Sequence, residues 1–225
     1  MTTPLSPIEL LFMNYAAGRV TQEESLMVAA AVALNADARR KVEEFEAMGA
    51  SLMCAGEPAE VSSACMDAVM ERIAQGSFIE PVPDLPAPKP PEGLNVPEIV
   101  YAMIHSVCAS KSGDWQRAVR NTTIIDLEMR QREPAMQRLR LLKIAPMQST
   151  PRHRHIGKEI TLVLHGSYTD GIGRYVKGDI ILIHDARIEH QPTAEEEGCV
   201  CLTLTEAPLK FLHPFTRITN LFLKV

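Results

Sequence analysis

Apolar residues recur at helical spacing through the first 76 positions and change to strand-like alternation after about residue 99. Ser6-Pro7-Ile8-Glu9 reads as a capping box with proline at the first helical position. It opens a helix through Leu10, Leu11, Tyr15 and Ala17 that stops at Gly18. Thr21-Gln22-Glu23-Glu24 is a second such box, and the helix it opens places Leu26, Met27, Ala30, Ala33 and Leu34 on its buried side. Asn35-Ala36-Asp37 interrupts that helix and caps a third, which is predicted to end near Gly49. A fourth runs from about Ser63 through Met66, Val69, Met70 and Ile73 to Gly76. These helices predict a small bundle with a thin core.

Residues 77–98 contain seven prolines, too many for a helix or a sheet ladder, and read as a semi-rigid extended linker. The predicted division is therefore a helical domain over 1–76, a Pro-rich linker over 77–98 and a second domain over 99–225. In the second, short apolar runs at 122–128, 137–144, 160–164, 178–183 and 200–205 predict strands of a sandwich or barrel. Along 138–143, Leu139, Leu141 and Lys143 share one face, and Arg138, Arg140 and Leu142 the other. Phe215 to Leu223 reads as a short closing helix or strand. The fold class is α+β.

Composition changes this picture only at the edges. The chain is 46% hydrophobic and 23% charged over 225 residues, as globular proteins are. No run is apolar enough to span a bilayer, and the start lacks the basic-then-apolar pattern of a signal peptide. Five cysteines without paired spacing argue against a disulfide framework and fit a reducing cytoplasm. Residues 1–76 carry five Lys/Arg against eleven Asp/Glu, a net of −6. That excess disfavours direct nucleic-acid binding and suits a basic protein partner, or serves as a solvated surface.

The candidate chemistry lies in the second domain. His153 and His155 alternate along extended chain and so share a face, Gly157 can turn the backbone, and Glu159 opens the next strand. With His190 they supply three imidazoles and a carboxylate, the ligand types of a borderline divalent metal. Four protein ligands around zinc make a closed site that stabilises or senses, whereas iron, manganese or nickel with open positions permits oxygen or carbonyl chemistry. His165 and His184 read as surface or supporting residues, His105 and His213 as structural. Cys199 and Cys201 put two sulfurs on one strand face; two small core residues is the plain reading, a redox or metal pair the alternative.

His153-x-His155-x3-Glu159-x6-Gly166 resembles the first motif of the cupin superfamily, and His190 stands where the second motif supplies its histidine. That second motif lacks the usual proline and glycine after Gly178 and is one residue longer. Over both halves the chain resembles the ChrR family of anti-sigma factors. The resemblance rests on Asn14-Tyr15-Ala16-Ala17-Gly18 and the 25–34 and 39–49 segments, on 138–146, on the HxHx3E stretch, and on the segment from Cys201 to Phe211. It implies a helical sigma-binding domain joined to a cupin (double-stranded β-helix or jelly-roll) barrel. It also implies a cytoplasmic, non-enzymatic regulator that sequesters an extracytoplasmic-function (ECF-type) sigma factor and releases it under stress, singlet oxygen being the family's signal. The implied metal ligands are His153, His155, Glu159 and His190, holding one divalent metal, with zinc ahead of iron, manganese or nickel. No membrane contact is implied, and pairing of cupin sheets leaves a homodimer open.

One departure is plain. The family's helical domain usually binds zinc through an upstream histidine and His-x3-Cys-x2-Cys, but the motif positions here hold Ala31, Asn35 and Ala38. No histidine precedes His105 and no cysteine precedes Cys54, so no zinc is expected in this domain. Two other readings stay open: a cupin metalloenzyme of dioxygenase or isomerase type, and a ligand-binding cupin with a degenerate regulatory arm.

Overall fold

The computed structural model describes residues 4–76, 89–90, 94–109, 115–119, 121–129, 137–185, 187–207 and 209–211. Most of the proline-rich segment, His213 and the closing segment predicted at 215–223 lie outside the described residues.

Among the described residues five helices come first: α1 (Pro7–Ala16), α2 (Gln22–Leu34), α3 (Ala36–Cys54), α4 (Ser63–Ala74) and α5 (Glu98–Val107). Both predicted capping boxes form. The Ser6 hydroxyl accepts from the Glu9 amide while the Glu9 carboxylate accepts from the Ser6 amide, and Thr21 and Glu24 repeat the pattern. α3 runs past Gly49, where the backbone stays helical and an added Cβ would meet nothing. A lone helical glycine costs only about 1 kcal/mol, too little to end a helix.

Two helices depart from the pattern reading. α5 occupies the start of the region expected to be strands. Its Val100 and Ile104, one turn apart, are buried, and the helix packs on α2. A short run rich in Ile, Val and Tyr is ambiguous in period, and only packing resolves it. α4 forms where predicted, yet its apolar stripe does not enter the bundle: Met66, Val69, Met70 and Ile73 are all exposed.

The strands are β1 (Cys108–Ala109), β2 (Gln116–Val119), β3 (Thr122–Met129), β4 (Arg138–Ile144), β5 (His153–Arg154), β6 (Glu159–Thr169), β7 (Arg174–Val176), β8 (Ile180–Ile183), β9 (Glu189–His190), β10 (Thr193–Thr205) and β11 (Lys210–Phe211). They build two antiparallel sheets. The large one runs β1-β3-β4-β10-β6-β7, with β2 also on β3 and β8 also on β6; the small one runs β11-β5-β9. The fold is α+β, as predicted.

β6 and β10 use their two faces differently. Ile160, Leu162 and Leu164 of β6 and Val200, Leu202 and Leu204 of β10 join Met27, Ala30 and Ala31 of α2 in one apolar cluster. The intervening Glu159, Thr161, Cys201, Thr203 and Thr205 line a cavity between the sheets. The register of β6 against β10 then slips at two bulges, and Gly166 and Gly198 take left-handed φ values of 66° and 73° there. A Cβ on Gly166 would collide with the Gly198 carbonyl oxygen.

Polar contacts also tie helices to strands. Lys158, in the turn before β6, bonds the carboxylate of Glu24 and, at 3.1 Å, that of Glu206. Asn35 caps α3 by accepting from the amides of Asp37 and Ala38, and its amide nitrogen donates to the Gly178 carbonyl at 3.1 Å. The three positions at which the resemblance looks for zinc ligands thus hold a cap and two buried alanines, Ala31 and Ala38. Replacing Asn35 by Ala removes the cap and the link to the strands together. The expected loss is about 1–2 kcal/mol, read as a lower urea midpoint with an unchanged slope; an unchanged midpoint would show that these bonds contribute nothing to the junction.

Candidate metal centre

His153 and His190 are directly opposed residues of β5 and β9. Antiparallel register therefore brings together two side chains 37 positions apart. His155 follows at the next same-face position. Imidazole nitrogens of the three all lie within 4.8 Å of one another, and each residue is buried. The Nε2 atoms of His155 and His190 approach to 2.8 Å.

The rings are held from behind. His153 Nδ1 donates to the Pro151 carbonyl at 2.8 Å, and His190 Nδ1 donates to Asp170 Oδ2 at 3.0 Å, roles assigned from the acceptors present. Both rings thereby keep the Nε2 lone pair for the centre, as metal-binding histidines do. Asp170 does this with one oxygen while the other accepts from the amides of Ile172 and Gly173 and so fixes its turn. Burial alone raises its carboxyl pKa, but the hydrogen bond from His190 and those two amides outweigh burial and lower it.

Glu159 stands beside this cluster. One carboxylate oxygen lies 3.2 Å from His155 Nδ1, and the other accepts from Thr161 at 3.1 Å. Burial pushes its carboxyl pKa up. Burial and mutual proximity act on the histidines in the opposite sense, lowering His153 to about 4 and His155 to about 3. Three clustered imidazoles beside one carboxylate are the donor set of a borderline divalent cation, so this centre could bind a metal.

The remaining candidates fall where their residue types suggest. His184 is exposed and His165 half-buried, both away from the cluster; His105 stacks on Tyr101 in α5. The Cys199 and Cys201 sulfurs are buried 3.4 Å apart, and Cys201 lines the cavity. The hydrogen bond with Cys199 and burial hold the Cys201 thiol well above its ordinary pKa, so it stays protonated. Asp170 and the Pro151 carbonyl were not identified from sequence. Asp170-Gly171-Ile172-Gly173 reads only as a turn, and a backbone carbonyl leaves no residue-type signal.

A two-sheet barrel with a cluster of buried histidines against its cavity defines a cupin-domain protein, and comparison with known proteins agrees. Residues 105–208 match the family model described as the ChrR cupin-like domain. Over 220 residues the chain is 32% identical to the anti-sigma-E factor ChrR of Cereibacter sphaeroides, covering 93% of this chain and 96% of that protein. It is also similar to the crystal structure of Rhodobacter sphaeroides SigE in complex with the anti-sigma ChrR. There the identity is 27% and the TM-score 0.66, over 91% of this chain and 98% of the other. The chain belongs to the ChrR family of anti-sigma factors. No helix among the described residues is long and apolar enough to cross a membrane.

The shifted histidines make metal-free protein acid-sensitive. Their folded-state pKa values lie below the ordinary 6.5, so the unfolded chain takes up protons first. Stability is intact above pH 6.5 and falls as pH drops from there towards 4. His153 alone accounts for about 3 kcal/mol of that fall at the linkage constant of ~1.4 kcal/mol per unit. Urea midpoints of chelator-treated protein between pH 7.5 and 4 should show the slope, and His153→Phe should flatten it; parallel curves for the two would contradict the assignment.

Proposed function

We propose that this chain is a cytoplasmic regulator that sequesters an ECF-type sigma factor through its N-terminal helical domain, residues 1–76. The linker, 77–98, joins it to a cupin domain, 99–225, that senses stress. The observation that carries the reading is the apolar stripe left open on α4. Met66, Val69, Met70 and Ile73 recur at i, i+3, i+4 and i+7, 44–66% exposed. Met48, Leu52 and Met53 extend open apolar surface along the end of α3. A stripe of this period is a helix face built to be covered. Laid into a groove on a sigma factor, it would occlude the surface that RNA polymerase uses. The relative seen in complex with SigE supports the same partner. Membership of a regulatory family supports a role without catalysis.

In this reading the cupin holds one divalent metal through His153, His155, Glu159 and His190, with zinc the first expectation. When bound, the ion supplies a cross-link between β5, β9 and the turn that opens β6. The chain's own residues do the rest. Pro151 and Asp170 hold two imidazoles in the ligating tautomer, and burial keeps His153 and His155 neutral. Lys158 sits between His155 and Glu159 in sequence and bonds Glu24 of α2. A change at the centre, by oxidation or by ligand binding, would therefore move the turn that anchors α2 and shift the population towards a releasing state.

Co-expression of the chain with an ECF-type sigma factor should yield a stable complex. Met66→Glu with Met70→Glu should lower its affinity at least tenfold by burying charge, while leaving the thermal midpoint of the free chain unchanged. Recovery of an undiminished complex from the double variant would rule out this face. Metal analysis of the purified protein should give one ion per chain, lost in His153→Ala and in His190→Ala. Asp170→Asn should weaken zinc binding by about tenfold to a hundredfold; full occupancy in both alanine variants would remove the site.

A further inference from the structure

The cavity between the sheets extends well beyond the histidines. Opposite them, on β3 and β4, it is lined by Ile124, Leu142 and Ile144, and its free volume is about 70 Å³. Into this apolar wall β4 places one cation. Arg140 shares the inward face with Leu142 and Ile144 by strand alternation and is 6% exposed. Its Nε donates to Asp126 Oδ1 at 2.6 Å, and Asp126 itself is more than half exposed. Among the described residues the two Nη groups of Arg140 meet no acceptor. Thr122 lines the same cavity, and its hydroxyl oxygen is buried with no hydrogen-bond partner among the described residues.

The Thr122 hydroxyl is costly unless something meets it, and the Nη groups of Arg140 are open to an acceptor. A largely buried guanidinium is best met by an acceptor for each donor, and an orphaned buried hydroxyl bears its full desolvation penalty. Asp126 is half in water and engages only Nε, so it leaves the other donors of the guanidinium open to a second acceptor on the cavity side. Two free Nη groups in one plane match the two oxygens of a carboxylate. The walls around them match a hydrocarbon.

We propose that the barrel binds a small monocarboxylate with a short apolar body. The carboxylate sits on the Nη groups of Arg140, and the body lies against Ile124, Leu142 and Ile144, beside the histidine centre. The site is distinct from the four expected metal ligands and does not depend on sigma-factor binding, so failure of either reading leaves it standing.

Isothermal titration of the full-length chain with hexanoate and with hexan-1-ol, in chelator-treated and in zinc-loaded protein, tests it. Hexanoate should bind one per chain in both preparations, and the alcohol at least tenfold more weakly. Arg140→Met should cost hexanoate roughly tenfold to a hundredfold and leave the alcohol unchanged. Arg140→Lys, which keeps the charge, should retain part of the affinity and serves if the methionine variant does not fold. Equal affinity for the two probes, or no binding of either, overturns the proposal. So does hexanoate binding that needs zinc and ignores Arg140, because the carboxylate would then sit on the ion.

Discussion

β10 paired with β6 is the constraint on which the rest depends. Side chains alternate along a strand, so each of these two must satisfy two solvents at once. On one side Leu202, Leu204, Ile160 and Leu162 form a floor for α2. On the other Thr203, Thr205, Glu159 and Thr161 line the chamber that holds the histidines. A one-residue slip would carry polar groups into the helix interface and leucines into the chamber. The central sheet therefore locks helix packing and site polarity to one register. The two bulges near Gly166 and Gly198 adjust that register, and Tyr168 and Asp170 beyond them are buried, Asp170 reaching His190.

The histidine cluster follows from the same logic on the smaller sheet. Opposed positions of two very short strands bring His153 and His190 together, and burial then makes the His153 and His155 rings prefer the neutral form. A cluster of neutral imidazoles has its lone pairs ready for a cation, whereas an exposed cluster would first have to lose protons near neutrality. The Asp170 carboxylate, held low by the bond from His190 and by two amides despite its burial, acts as a fixed hydrogen-bond acceptor at the back of that ring.

The helical half is arranged around a departure from its family. Where the resemblance implies zinc ligands, Ala31 and Ala38 are buried and Asn35 caps α3 while bonding Gly178. Local hydrogen bonding and a floor of leucines from the barrel stand in place of a metal cross-link. One apolar cluster runs from α1, α2 and α3 through α5 into β6 and β10. Lys158 adds a polar bond between α2 and the turn that carries Glu159. Helices stabilised in this way are coupled to the barrel, which suits a regulator whose two halves must answer to each other.

The local elements are legible in the chain. Capping boxes at Ser6 and Thr21 fix helix starts because side chain and amide lie three residues apart, and alternation along 138–144 fixes a strand for the same local reason. His153, His155, Glu159 and His190 were recognisable as one constellation because their types and spacing are written in the chain. Long-range partnership is settled by the folded arrangement instead. α5 is a helix because α2 offers it a surface, and α4 leaves its stripe open because nothing among the described residues covers it. Asp170 became a support for His190, and Arg140 an inward-facing cation, through strand register. Periodicity reports which residues share a face; what that face meets depends on segments far along the chain, and no local pattern encodes it.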